Sequence, residues 1–331
     1  MVRDALFVLA IAACGLGYKP PMVPTAIQAR LDPELAFRVV GARALHYTTA
    51  AQPDDDRPAH VRAASGLAFT NGRLLVIQDD TAFIGSVARD EVAAIALPRG
   101  KHGRRRFEAA LGNKLDKLDL EACVAIDDEV WALGSGSHAV RERIAVVGYT
   151  TRIVDAPALY QRLRAELGHA VNIEGAARVG DQLWLFHRGN TGPGDTGPAV
   201  VRYELAAFQR WLSGLAGVPP IVGSTTYDLG RAEGVALGFT DAAAVGERVF
   251  YLAAAEASPN AIDDGRVVGS QLGVIDRSGV RAIALSFEGA SVKAEGLAFD
   301  PTNPRKAWVA IDPDDVDRPA QLLELELLGP W

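Results

Sequence analysis

The chain has 331 residues, 49% of them apolar, and 34 Lys and Arg against 41 Asp and Glu give it a formal charge of -7. This apolar fraction excludes a disordered chain, the absence of a glycine period excludes a collagen-like one, and the acidic balance argues against a nucleic-acid binder that rests on phosphate neutralisation. Two cysteines, Cys14 and Cys123, cannot build a disulfide framework or a zinc cluster, so packing must hold the fold.

At the N-terminus Arg3 precedes an apolar run over residues 5–13, and Cys14 follows directly. Nine apolar residues are too few to span a bilayer. They fit a short secretory segment over residues 1–14, and Ile11-Ala12-Ala13-Cys14 has the form of a bacterial lipobox. On that reading Cys14 is the lipid-anchored first residue of a protein of the periplasm or outer membrane; the alternative is a cytoplasmic chain that keeps its N-terminal segment. Residues 15–34 then read as a linker and residues 35–331 as one domain.

One short motif recurs five times: Ala64-Ser65-Gly66-Leu67-Ala68, Leu120-Glu121-Ala122-Cys123-Val124, Ile173-Glu174-Gly175-Ala176-Ala177, Ala232-Glu233-Gly234-Val235-Ala236 and Ala294-Glu295-Gly296-Leu297-Ala298. The spacing suits a four-stranded blade with elaborated loops and is too long for one βα repeat. Each motif precedes a turn, such as Asn71-Gly72, Asp127-Asp128 or Gly180-Asp181, and then a second apolar strand. Leu75, Trp131 and Trp184 stand ten residues after Ser65, Glu121 and Glu174, whereas Phe250 and Trp308 follow longer turns. Further strands are expected at 200–205, 224–229, 272–276, 282–287 and 322–327. Residues 156–167 and 205–215 have helical spacing and read as two short insertions. The last unit lacks a strand, which 37–40 or 44–49 can supply, closing a ring and covering two sheet edges. The predicted fold is all-β, a five-bladed β-propeller, with six blades the alternative.

The innermost strands of a propeller converge on its axis, so the small residues of the motif read as close-packing positions. Glu121, Glu174, Glu233 and Glu295 then face one channel, ~7–12 Å apart, where neighbours repel by roughly 1.5–2.5 kcal/mol at an effective dielectric near 20. Three answers to that repulsion stay open. The glutamates can ligate a divalent cation, calcium before others; they can pair with Arg231 and Lys293, two residues before their glutamates; or they can accept N–H groups of the next blade.

The loops after the second strands return to the same face. They carry Gln78-Asp79-Asp80, Gly134-Ser135-Gly136-Ser137-His138, His187-Arg188-Gly189-Asn190, Glu256-Ala257-Ser258 and Asp312-Pro313-Asp314-Asp315. Carboxylates, an imidazole, a guanidinium and hydroxyls around one funnel are the groups that metal binding and acid/base hydrolysis use. His187 is the candidate acid/base, Arg188 and Arg231 are candidate clamps for an anionic group, and Asp79, Ser135, Asn190, Lys293 and Asp312 are candidate ligand-binding residues. The basic run 101–106 reads as a solvated loop, and Lys117 can reach over the mouth. No Gly-x-Ser-x-Gly elbow supports a serine hydrolase.

The Glu-Gly-hydrophobic-Ala repeat, the strand end Trp184-Leu185-Phe186-His187 and the turn Phe299-Asp300-Pro301-Thr302-Asn303-Pro304 resemble a loose group of bacterial propellers. It includes phytase-like and esterase-like propellers, the SdiA-regulated lipoprotein type and, more remotely, the gluconolactonase and senescence-marker family. The chain looks most like a bacterial propeller family in which the Lys117–Ala122 stretch and the Gly134–Ser137 loop recur. The gluconolactonase resemblance implies a divalent metal on glutamates such as Glu174, Glu233 and Glu295, with Asn190 and Asp312 as partners. Ser65 in the first repeat departs from that pattern. The phytase resemblance implies several calcium ions and a basic phosphate pocket from Lys293, Arg231 and Arg188. Together these give a divalent-cation or small polar or anionic ligand site, with metal-dependent ester or phosphoester hydrolysis as its reaction. A non-catalytic envelope protein that binds glycan or protein is the alternative.

Overall fold

Two-residue polar turns set the strand pairing. At Asn71-Gly72 both residues take positive φ (49° and 71°), the conformation that matches the twist of a tight hairpin, and Thr70 pairs with Arg73 across it. A computed structural model describes residues 25–189, 192, 194–257 and 265–331. Cys14 and the apolar run before it lie outside the described residues.

Among those residues the chain forms five four-stranded antiparallel meanders. The first comprises Ala64–Thr70, Arg73–Gln78, Phe83–Ala88 and Glu91–Ala96. The second comprises Leu120–Ile126, Glu129–Gly134, Arg143–Val147 and Thr151–Asp155. Ile173–Val179, Gln182–His187, Ala199–Glu204 and Ile221–Asp228 make the third, and Gly238–Val245, Arg248–Ala257, Arg266–Asp276 and Gly279–Ala284 the fourth. The fifth takes Ala294–Phe299, Lys306–Ile311 and Gln321–Leu328 from the C-terminal end and its outermost strand, Ala36–Ala44, from the N-terminal end. The innermost strands pack against one another in ring order, the fifth against the first, as in a β-propeller.

Both faces of each sheet are apolar because each is covered by a neighbour, and the buried core divides into five clusters, one per interface. Leu75 and Ile77 meet Cys123 and Val130; Trp131 and Leu133 meet Leu183 and Tyr203; Phe186 meets Phe239; Phe250 meets Leu297; Leu67 meets Ala310. Two helices seal the second interface. Pro157–Leu167 starts on a proline, whose missing N–H costs nothing there, and ends on Gly168 in the left-handed conformation (φ 78°). Leu205–Leu212 stacks Phe208 on Trp131, with ring centroids 5.6 Å apart.

Two features depart from the sequence reading. The segment read as a linker contains the strand Ile27–Leu31, which runs parallel to the outermost strands of both the third and fourth sheets and joins them into nine strands. It covers two edges at once. The second departure is the register of the fourth repeat. Each innermost strand carries a β-bulge at one residue: Ser65, Glu121, Glu174, Thr240 and Glu295. Glu233 is therefore not the fourth member. It sits with Gly234 in the turn of a small exposed hairpin, Arg231–Ala232 with Val235–Ala236, at φ 48° and 80°. Gly234 packs against nothing, whereas a Cβ on Gly296 would lie 2.7 Å from Leu67 Cγ and 3.1 Å from the Gly66 carbonyl carbon.

These two glycine environments give opposite expectations for the two motifs. Gly296→Ala should destabilise the protein by ~1–3 kcal/mol through overpacking at the axis. Glu233→Gln should change stability by no more than about 0.5 kcal/mol. Urea unfolding of both variants checks this, and a large loss at Glu233 would return that residue to the ring.

Candidate functional site

The bulge aims one side chain per innermost strand at the axis, because the extra residue breaks the alternation of faces. On the first and fourth strands it is a hydroxyl that ties blades together: Ser65 Oγ donates to Leu120 O (2.5 Å) and Thr240 Oγ1 to Ala294 O (2.6 Å). The other three are glutamates. The next residue is small on four strands (Gly66, Ala122, Gly175, Gly296), but on the fourth it is Asp241, fully buried. Asp241 accepts N–H bonds from its neighbour Ala242 and from Leu297 of the fifth blade, both at 2.7 Å, and also from Leu67 of the first. Burial raises its pKa well above the carboxylate range, with those donors opposing.

The residue that follows the second strand is held beside the bulge by one recurrent backbone bond. Asp79 N–H donates to Ala63 O, Ser135 to Asp119 O, Arg188 to Asn172 O and Asp312 to Lys293 O, at 2.9–3.1 Å. The geometry therefore places Asp79, Ser135, Arg188 and Asp312 at equivalent positions around one mouth. In the fourth blade that position is Ala254, paired with Gly238, and the polar group there comes from Glu256 further along.

Around this mouth each cation serves several carboxylates. Lys117 bonds both Asp79 and Asp119, the latter at 2.6 Å, and Asp119 also takes Arg141 (2.8 Å) and the Ser135 hydroxyl. Arg188 spans Glu174 (3.3 Å) and Glu256 (2.7 Å). Lys293 spans Glu295 (3.3 Å), Asp312 (3.3 Å) and Asp314 (2.7 Å). Arg62 holds Asp80 (2.6 Å) and Glu108 (2.9 Å). Burial works against the charge of Lys117, Arg188 and Lys293, but the adjacent carboxylates outweigh it and raise all three pKa values. The carboxylates divide. Burial would raise Asp119, yet Lys117 and Arg141 bring it below its usual value. Burial raises Glu174, and raises Glu121 and Glu295 further. It takes Asp80 up to about 7, with Asp79 adding to the shift, and Asp312 up to about 6 against the pull of Lys293.

Glu121 differs from the rest. It has neither a hydrogen bond nor an ion pair among the described residues, although one of its oxygens lies within 4.8 Å of ligand atoms of Asp79 and Asp119. Asp79 Oδ1 is buried without a hydrogen-bond partner. A carboxylate drawn out of water without a partner favours a proton or a cation.

Of the residues singled out from sequence, Glu121, Glu174, Glu295, Asp79, Ser135, Lys293, Asp312 and Arg188 come together at this mouth. Glu233 and Arg231 do not: Glu233 is 60% exposed and paired with Arg266, and Arg231 donates to the Gly234 carbonyl of its own turn. His187 lies at the end of its strand with Nδ1 on the Asn172 backbone and Nε2 towards Asp195, so it touches none of the glutamates among the described residues. Asn190 lies outside the described residues. The basic run is exposed over residues 101–103, and beyond them Arg104 and Arg105 are paired with Asp56 and Asp55.

Asp119, Asn172 and Asp241 escaped the sequence reading as site residues, and Glu256 entered it only as part of a polar loop on the same face. A signal existed for the first two: Asp119, Asn172 and Lys293 each stand two residues before a bulge glutamate.

Several solved structures are similar to this chain at low identity. Glutaminyl cyclase from Myxococcus xanthus is 10% identical with a TM-score of 0.49, over 92% of this chain and all of that one. A mannose phosphorylase from Leishmania mexicana, in complex with phosphate ion, gives 12% and 0.42 over 87% and 88%. The PQQ-bound aldose sugar dehydrogenase of Streptomyces coelicolor gives 12% and 0.40 over 90% and 100%. No curated protein matches the sequence. A family model does, over residues 60–327, and the chain belongs to that family, DUF6929, a family of unknown function.

Proposed function

We propose that the protein binds a small hard cation, calcium before other divalent ions, at the carboxylate-lined mouth of its channel. The observation that carries this reading is the pair formed by the partly buried Glu121 carboxylate, which has no ion pair or hydrogen bond among the described residues, and the buried, unpartnered Asp79 Oδ1, in a cluster whose cations are already shared. Glu121 and Asp79 are the ligands assigned, with Glu174 adjoining. Oxygen donors without nitrogen or sulfur suit calcium and magnesium. Glu295 and Asp312 belong to the Lys293 network and shape the field rather than ligate. A ligand with cationic or hydroxyl groups would answer the same field. Hydrolysis of an ester or phosphoester has no acid/base group assigned at the mouth, since His187 is engaged by the Asn172 backbone and faces Asp195.

Export with lipidation at Cys14 belongs to the same proposal. Among the described residues no helix is long and apolar enough to cross a membrane. Radiolabelled palmitate should enter the wild type and be lost in Cys14→Ala; retention of label there would refute the anchor.

Calcium at about a hundred times its Kd should add ~2.7 kcal/mol and raise the melting temperature by roughly 5 °C. Glu121→Gln and Asp79→Asn should abolish that rise while Glu233→Gln keeps it. No rise in the wild type with millimolar calcium, magnesium or manganese would end the proposal.

The same carboxylates fix a pH dependence. Asp80 faces Asp79, Arg62, Lys117 and Asp312, and Asp312 faces Lys293, Asp314 and Asp79. Their folded pKa values lie above the unfolded value of ~3.9, so the folded state holds more protons between about pH 4 and pH 7. The stability they contribute is complete below that window and is lost as pH rises through it. Cation-free protein should therefore melt lower at pH 8 than at pH 5.5, and saturating calcium should narrow the gap. Calorimetry across this range measures both.

A further inference from the structure

A second cluster sits beside the third blade, built from different chemistry. His169 lies in the connection from helix Pro157–Leu167 to the innermost strand, His187 ends the second strand, and Asp195 lies in the loop that follows. The three side chains are 4%, 0% and 5% exposed. Their ligand atoms lie within 4.8 Å of one another: His187 Nε2 is 3.4 Å from Asp195 Oδ2, and His169 Nε2 is 3.8 Å from Asp195 Oδ1. The imidazoles converge with centroids 5.1 Å apart and planes tilted by 42°.

The second nitrogens of the two rings explain why. His169 Nδ1 lies 2.7 Å from Ala170 O, and His187 Nδ1 lies 3.2 Å from Asn172 O. A ring that donates from Nδ1 to a backbone carbonyl presents the Nε2 lone pair on its other side, which is how metal-bound histidines are oriented. His187 Nε2 is buried and has no hydrogen-bond partner. Asp195 does not supply one at 3.4 Å with the observed geometry, and Asp195 Oδ1 already accepts the Gly197 N–H at 2.7 Å. When His187 Nδ1 donates to Asn172 O, its buried, unpartnered Nε2 converges with His169 Nε2 and the Asp195 carboxylate within reach of one metal ion. The spacing is near that of ligands around a tetrahedral ion with bonds of about 2.0 Å, roughly 3.3 Å from one to the next.

We infer that His169, His187 and Asp195 form a binding site for a borderline divalent metal of the zinc class. Two imidazoles and one carboxylate select such an ion over calcium. Three protein ligands leave a fourth position for water or a ligand atom, and the Thr196 hydroxyl, 3.4 Å from His169 Nε2, borders it. The competing state of the same residues is metal-free: Asn172 N–H is 3.0 Å from His187 Nδ1, and if Nδ1 accepts that bond, Nε2–H points at Asp195.

Full-length protein stripped of metal and titrated with cobalt(II) tests the site. One equivalent should bind with visible d–d bands of a tetrahedral centre, and zinc should displace it. His169→Asn and Asp195→Asn should each weaken cobalt binding by roughly 100-fold or more, since loss of an outer-shell partner alone costs 10–100-fold. His187→Ala removes a fully buried ring and risks misfolding, so far-UV circular dichroism of the first two variants supplies the control for folding. Glu121→Gln should leave the bands unchanged, which separates this site from the calcium mouth. Absence of bands in the wild type, bands that persist in folded His169→Asn and Asp195→Asn, or their loss in Glu121→Gln would overturn the inference.

Discussion

Carboxylates gathered at the narrow end of a ring of sheets repel one another and lose hydration, and each must receive N–H donors, a cation or a proton. All three remedies occur here, at different depths. Asp241, deepest, takes backbone N–H groups from three blades. Asp119, Glu174 and Glu295 take Lys117, Arg188 and Lys293. Asp80 and Asp312, nearer the loops, have pKa values high enough to keep protons towards neutral pH. Glu121 receives neither an N–H donor nor an ion pair from the described residues and, with its pKa raised by burial, is left to a proton or an added cation, and the functional reading rests on that exception.

The same groups hold the ring together. Asp241 links the fourth blade to the fifth and first, the Ser65 and Thr240 hydroxyls cross to neighbouring blades, and Lys117 joins the first to the second. Removing one partner of such a network leaves a buried charge behind, a larger penalty than the pair contributes when intact. Binding and stability at this mouth are therefore coupled. Substitutions that retain volume and hydrogen bonding, Glu to Gln and Asp to Asn, separate them better than alanine.

Much of the architecture was legible because propeller physics repeats. Close packing at the axis demands small residues at Gly66, Gly175 and Gly296, tight turns demand Asn71-Gly72, and an unpaired C-terminal edge demands the strand found at Ala36–Ala44. Ile27–Leu31 was not legible, since a five-residue edge strand has no repeat to betray it. The fourth repeat misled for a specific reason. Ala232-Glu233-Gly234-Val235-Ala236 satisfies the motif, but the same Glu-Gly pair also suits a two-residue turn with positive φ. The spacing held the correction: Leu75, Trp131 and Trp184 stand ten residues after their bulges, and Phe250 stands ten after Thr240. Periodicity of position was a better guide than identity of residue. The charge pairing at the mouth depends on side chains from separate blades and on loops of unequal length, which no local pattern encodes.

The two cation sites inferred differ in how the fold builds them, and this bears on what each can do. Lys117, Glu121, Glu174 and Lys293 project from innermost strands or the residues just before them, fixed by the ring, so the mouth is preformed and selects by charge. The second site takes one histidine from a strand end and one from a short connection, but its carboxylate comes from a loop whose Gly189, Gly192, Gly194 and Gly197 all have positive φ. Ordering such glycines costs more backbone entropy than ordering other residues. A metal that engages Asp195 offsets that cost, so occupancy of the histidine site and the conformation of this loop are thermodynamically linked. Asn172 connects this linkage to the mouth: its backbone meets His187 Nδ1, and its side-chain amide donates to Glu174. A change at the His–His–Asp cluster thus has a two-bond route to a carboxylate of the channel.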